Sequence, residues 1–296
     1  TIAPANYPPH RTPNLARLRY LLGGLMFRVG MTLASGCGNK TLVRIGAGNL
    51  KSVVVLIIAA AAAYVMLWTD FFDMVFGSLI SATTINLGAR GINSQSLGDL
   101  TGIGNTVAGA IVALAIIGYA FASSEFRSNK DNIVGGIVVG LIIVAGWYVT
   151  GGEMGARWKE FAEFADTKPL RVETQSYTFI SAMGDAARYA MHPTDTSLIN
   201  FGIVALVGVV IGSALWALIR REFRLEWFPS VGDFVTHAIG AVLIGVGGVL
   251  SMGCTVGQAI TGVSTLALGS ILTFIFIVAG AAATMKYQYW QMMKGS

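Results

Sequence analysis

Two cysteines and three histidines are all this chain offers of the side chains that most readily hold zinc or iron–sulfur clusters. Such sites need about four suitably spaced ligands. His10, His192 and His237 are dispersed, so no metal and no cofactor is expected. Charge is scarce too. Asp, Glu, Lys and Arg make up 12% of the residues, roughly half of what a soluble domain carries. No Ser/His/Asp set or carboxylate pair stands out, and Gly102-Ile103-Gly104 opens an apolar run rather than a strand-to-helix turn. The expectation is a protein that is not an enzyme. There is no long basic run, so the net charge of +5 speaks for Lys and Arg in cytoplasmic loops and against nucleic acid. The start, TIAPANYPPHRTPN, is polar and proline-containing and does not resemble a signal peptide.

Apolar sequence is abundant: 54% of the residues are hydrophobic and the mean hydropathy is +0.66. Runs at 18–36, 51–68, 103–122, 133–150, 197–219, 234–252 and 268–285 approach or reach the roughly 18 to 20 residues that span a bilayer as a helix. The fold class is therefore an all-α polytopic membrane protein with the lipid bilayer as its solvent. Residues 1–17 read as a polar N-terminal arm and 18–296 as a single helical bundle. A shorter apolar segment covers 71–87, and 88–102 is a Gly/Ser/Asn loop. The region 151–196 is the longest hydrophilic stretch, and Met154, Trp158, Phe161 and Phe164 give its first part the spacing of a helix lying on the bilayer. Charge places the turns 123–132 and 220–230 together on the cytoplasmic side, with 151–196 opposite. The pairs Gly136/Gly140 and Gly208/Gly212 have the spacing that brings helices close.

The two cysteines stand at matching points. Gly23, Val29, Gly30, Leu33, Gly36 and Cys37 align with Gly240, Val246, Gly247, Leu250, Gly253 and Cys254. Downstream, with one residue of slip, Ser52, Ile57, Ala61 and Ala63 align with Ser270, Ile275, Ala279 and Ala281. The layout predicts pseudo-symmetric internal repeats, near 18–70 and 172–290, with an amphipathic, hydrophilic insert at 151–175. Each repeat carries an interrupted, re-entrant Gly-Cys segment. In lipid, backbone leaves the helix only where protein or a cavity surrounds it, so the polar breaks at 38–50 and 255–267 are expected inside, beside a pathway. The counterpart of the second unit's start would precede Thr1, which predicts roughly 40 or more further residues, including at least one helix, upstream.

Half-helix N-termini present unpaired N–H groups to anions. A neutral thiol, with a reference pKa near 8.5, can hydrogen-bond the soft terminal sulfur of a sulfur oxyanion without repelling it. The candidate site is Cys37 and Cys254 with Gly36, Gly38, Asn39, Gly253, Thr255, Gly257 and Gln258, while Arg28 and Lys40 would attract an anion. Thr41, Thr261 and Ser264 could add donors nearby. A disulfide between the thiols stays open at this point, and a metal pair does not fit neighbours that are Asn, Thr, Ser and Gln.

The stretches ASGCGNKTLVRIGAGNLKSVVVLIIAAAAAYVM and GVGGVLSMGCTVGQAITGVSTLALGSILTFIFIVAGAAA resemble the two Gly-Cys signature regions of the YeeE/YedE family of membrane proteins. The similarity runs on through SYTFISAMGDAAR. It implies a pseudo-symmetric helical bundle in which short helices meet at a constriction, and uptake of thiosulfate or a related sulfur compound. It also implies that Cys37 and Cys254 pass the ion inward by transient hydrogen bonds. A further cysteine that the family carries near its N-terminus has no match here. The resulting expectation is a permease for a small sulfur oxyanion in a bacterial inner membrane, with a cytosolic sulfur-carrier protein as a partner. The alternatives are a non-transporting subunit of a larger membrane complex that keeps the transporter fold, and a membrane thiol oxidoreductase.

Overall fold

A computed structural model describes residues 10–165 and 167–294. Residues 1–9 of the expected arm, Asp166 of the hydrophilic stretch and the last two residues of the bundle lie outside the described residues. The arm's remainder forms strand β1, Asn14–Ala16, and leads into helix α1, Arg17–Leu33. Next come α2, Gly38–Gly46, and α3, Leu50–Trp68. The segment at 71–87 is not one apolar helix. It holds a wide turn at Asp73–Gly77, helix α4, Ser78–Thr83, and strand β2, Thr84–Asn86, which pairs antiparallel with β1. Two aspartates and Gly77 loosen the helix there, and the β-branched Thr83-Thr84-Ile85 run favours a strand.

Helix α5, Leu97–Thr101, precedes the outer helices α6, Asn105–Ala122, α7, Ser124–Ser128, and α8, Lys130–Gly151. Helix α9, Glu153–Phe164, follows α8 directly. Helices α10, Ile180–Met191, α11, Phe201–Arg220, α12, Val231–Leu250, and α13, Leu268–Lys294, complete the order. A wide helical segment at Val256–Gly262 sits between the last two. Among the described residues, seven helical stretches are long and apolar enough to cross a membrane. The starts of α3, α11 and α12 are set by local chemistry: Asn49, Asn200 and Ser230 accept from Ser52 N, Ile203 N and Asp233 N, satisfying N–H groups that lack an intrahelical partner.

The centre of the bundle is the pair α1 and α12. Gly23 lies against the backbone of Leu250 and Ser251, Gly247 against Phe27, Gly30 against Ile244 and Gly240, and Gly240 against Ala34. Each step along α1 is answered by an equal step back along α12, so the two run antiparallel in backbone contact. Without a hydrophobic driving force in lipid, close packing of small residues is what holds such a pair. The flanking contacts are exchanged: α1 packs on α13, and α12 packs on α3. Gly24 meets Thr273 and Phe276 on α13, and Gly245 meets Ala59 and Ala62 on α3.

The other glycine pairs behave differently. Gly136, Gly140, Gly208 and Gly212 have no neighbour within 4 Å of a built Cβ, so the expectation that their spacing brings helices together within the chain fails. Small-residue spacing marks a helix that can be approached, and only the tertiary arrangement decides whether one is. The amphipathic reading of α9 corresponds to an uncovered face: Met154, Trp158, Phe161 and Phe164 are all exposed, as an interfacial helix requires. The hydrophilic stretch as a whole does not stay outside. From Thr174 the chain turns inward, and Ser176, Phe179, Ile180 and Met183 are buried.

The arm closes one end of the bundle. Arg11 Nε donates to Thr265 O at 2.8 Å, and His10 Nδ1 lies 3.3 Å from Ser270 Oγ. Burial lowers the His10 pKa from 6.5 to about 4, because the imidazolium loses its hydration. A histidine whose folded-state pKa is depressed contributes stability that is complete above the unfolded value near 6.5. That stability is lost as pH falls toward 4. The loss is on the order of 3 kcal/mol across that window. Thermal midpoints in detergent should therefore fall more steeply between pH 6.5 and 4 for the native chain than for His10→Gln, and parallel slopes would refute a neutral buried His10.

Candidate functional site

The two Gly-Cys stretches turn on the same backbone bonds. Helix α1 ends with Ser35 in the left-handed region at φ 60°, and α12 ends with Met252 at φ 61°. Gly36 N donates back to Met31 O at 2.9 Å, and Gly253 N donates to Gly248 O at 2.8 Å. These are the reverse bonds of a helix C-terminus closed by a left-handed residue. Each cysteine then starts the next helical segment: Thr41 N donates to Cys37 O at 2.9 Å, and Gln258 N to Cys254 O at 2.8 Å. Further on, Gly48 at φ 96° and Leu266 at φ 60° end both short segments. Left-handed backbone at Ser35, Met252 and Leu266 costs each about 1–2 kcal/mol, so the surroundings hold both turns in place.

The breaks differ from expectation in one respect. Residues 38–46 form a regular helix and 256–262 a wide one, where the polar, glycine-punctuated sequence reads as irregular backbone. Buried amides need partners, and a short helix supplies most of them internally while still exposing its first turn.

Cys254 is fully buried, and Cys37 packs part-buried against the same core. Both are free, which rules out a disulfide in this structure. The two lie within electrostatic reach of one another. Cys254 Sγ accepts from Gly257 N at 3.4 Å, and Cys37 occupies the cap position of α2 with no side-chain cap bond. Two thiols thus stand at the N-terminal turns of two short helices.

A cavity reaches each break. The first, about 200 Å³, touches Met252 and Gly253 and is lined by Arg19, Arg171, Thr178 and Ser181. The second, about 170 Å³, touches Ala34 and Ser35 and is lined by Arg44, Lys51, Asp233 and His237. Because α1 and α12 run antiparallel, these cavities lie at opposite ends of the pair. Lys51 pairs with Asp233 at 3.1 Å, and His237 Nε2 lies 3.4 Å from Ser35 Oγ. In the first cavity Arg19 Nε donates to Leu250 O at 2.7 Å and Arg171 Nε to Asp185 Oδ2 at 2.5 Å.

Of the residues singled out from sequence, Gly253 lines the first cavity directly. Gly257 stands against Thr178. Thr255 Oγ1 donates to Met31 Sδ at 3.4 Å, and the buried Gln258 donates to Ser251 O at 2.5 Å. Gly38 packs on Ile180 and Met183, while the Lys40 side chain folds back over Gly36. Asn39 is part-buried beside them. Arg28 lies elsewhere: its stem packs on Gly280 of α13, and it lines neither cavity. Of the three extra donors, Thr41 and Thr261 bond to Cys37 O and Tyr177 O, and Ser264 to Thr261 O. Sequence reasoning missed Arg19, Arg171 and the inward segment around Thr178. The only signal was the SYTFISAMGDAAR stretch, which carries neither cysteine.

Comparison with known proteins adds a family. A family model described as "Sulphur transport" matches residues 2–283. The chain is 23% identical over 280 residues to the thiosulfate transporter TsuA of Spirochaeta thermophila, covering 88% of this chain and 74% of that protein. It is 20% identical over 292 residues to the thiosulfate transporter TsuA of Escherichia coli, covering 88% of this chain and 71% of that protein.

Proposed function

We propose that this chain, which belongs to the sulphur-transport family, is a multi-pass permease that carries thiosulfate across a bacterial inner membrane past the thiols of Cys37 and Cys254. The observation that carries the reading is the pair of cavities at opposite ends of α1 and α12, each touching one Gly-Cys break. We read α1–α3 and α12–α13 as inverted repeats, because antiparallel helices in equivalent contact are related by an axis lying in the membrane plane.

An anion entering the first cavity meets the region of Arg19 and Arg171, then the first turn behind Cys254. There the N–H groups carry partial positive charge and the surrounding core excludes water. The thiol hydrogen-bonds the terminal sulfur and hands it to Cys37, whose own helix faces the ion in the same way. The ion leaves through the second cavity, beside Lys51 and Arg44. The turn carrying Arg220, Arg221 and Arg224 flanks that end, since Arg224 N donates to Ala47 O and Leu50 N to Glu226 O. The positive-inside bias makes it cytoplasmic, where a sulfur-accepting protein would draw the ion inward.

The decisive measurement is uptake of labelled thiosulfate by cells whose other sulfur-uptake systems have been deleted. Expression of the chain should raise uptake at least about tenfold above vector, and a wild-type chain folded in the membrane without uptake would sink the transport reading.

A further inference from the structure

We propose that Thr178 binds the transported anion, donating its hydroxyl to an oxygen of the ion while Cys254 faces the terminal sulfur; this rests on the permease reading above. The segment from Thr174 to Phe179 enters the bundle beside the second break, and its neighbours are fully committed. Ser176 Oγ donates to Ile143 O at 2.9 Å, Thr261 Oγ1 to Tyr177 O at 2.7 Å, and Thr150 Oγ1 to Gln175 O at 2.5 Å. Thr178 Oγ1 is the exception: the atom is buried and has no partner. Serine and threonine hydroxyls without use for a ligand are normally absorbed by a nearby carbonyl, as these three are.

Its position gives the hydroxyl a purpose. Thr178 lines the first cavity together with Gly253. A Cβ built on Gly257 would lie 2.5 Å from Thr178 Oγ1, so the hydroxyl rests against the first turn after Cys254. The next residue, Phe179, brings its backbone to the Cys254 sulfur. Glycine at 257 is what leaves room between the hydroxyl and that turn.

The chemistry of the two donors differs. A hydroxyl is a good donor to hard oxygen, and a thiol is a weak, polarizable donor suited to sulfur. One hydroxyl and one thiol at the same turn, both against Gly257, fit an ion with oxygens at one end and a bare sulfur at the other. The nearest cations are engaged elsewhere, Arg19 on Leu250 O and Val249 O and Arg171 on Asp185, so neutral donors are left to orient the ion.

The test compares Thr178→Val, which keeps shape and removes the donor, with Thr178→Ser, which keeps the donor. The readouts are thiosulfate uptake kinetics in cells and thiosulfate binding to purified protein. Valine should raise KM and Kd about tenfold, as loss of a hydrogen bond to a charged ligand does, with kcat within about twofold. Because it also deletes an unpaired buried hydroxyl, it should raise the melting midpoint of the ligand-free protein. Serine should keep KM within about threefold. A hydroxyl with only a structural role would leave KM and Kd unchanged in both variants, and that result overturns the assignment. Wild-type uptake reports separately on the permease reading. Should uptake fail while purified wild type still binds thiosulfate, the valine-to-wild-type Kd ratio decides the role of Thr178. Absence of binding by wild type overturns both.

Discussion

Cys254→Ala should reduce thiosulfate uptake about 10- to 100-fold while leaving the protein folded. A hydrogen bond to a charged group contributes about 1.5–3 kcal/mol, and nothing else at the fully buried Cys254 position replaces the lost donor. The folding cost is smaller. Losing one sulfur atom from a core of alanines and branched residues removes little volume, and the backbone bonds of Gly253 and Gln258 that shape the turn do not involve the side chain. Cys37→Ala should have a weaker effect, because Cys37 is part-buried and water can take its place. Cys254→Ser should fall between, a good oxygen donor aimed at a soft sulfur. The check is uptake normalised to folded protein in the membrane. Full uptake by folded Cys37→Ala and Cys254→Ala together would remove the thiols from the mechanism.

Gly30→Val should prevent stable folding, whereas Gly136→Val should be nearly silent. A Cβ at Gly30 would lie 2.7 Å from both Gly240 O and Ile244 N, backbone atoms that cannot step aside. Forcing α1 and α12 apart disrupts every contact in their antiparallel seam, a cost on the order of 4 kcal/mol or more. At Gly136 nothing lies within 4 Å, so the added side chain meets lipid and stability should change by less than about 0.5 kcal/mol. Fluorescence-detected gel filtration and thermal midpoints of the two variants check the contrast. Equal behaviour would mean that the α1–α12 seam is not the structural centre.

Membrane class was legible because transfer free energy depends on composition and run length, which need no partner. Seven apolar runs were predicted as spans, and among the described residues seven helical stretches are long and apolar enough to cross. The correspondence of the two Gly-Cys stretches was legible for a related reason: a helix that must end, turn and restart within four residues needs the same small residues each time. Gly36 and Gly253 donate the same reverse bond, and Cys37 and Cys254 accept the same first helical bond.

Other features were decided by contacts between segments far apart in the chain. Gly30 and Gly140 look alike in sequence, yet one faces backbone and the other open space. Arg28 reads as an anion attractor, and its stem packs along Gly280 while it lines neither cavity. Thr178 sits in a stretch that reads as hydrophilic and external, and it was placed at the second break by the inward course of the chain after Thr174. Sequence by itself determined the solvent, the spans and the chemistry of the two turns, since these follow from local composition and backbone geometry. Tertiary structure alone decided which glycines touch, which charges reach a cavity and which hydroxyl is left without a partner, because each depends on a second segment.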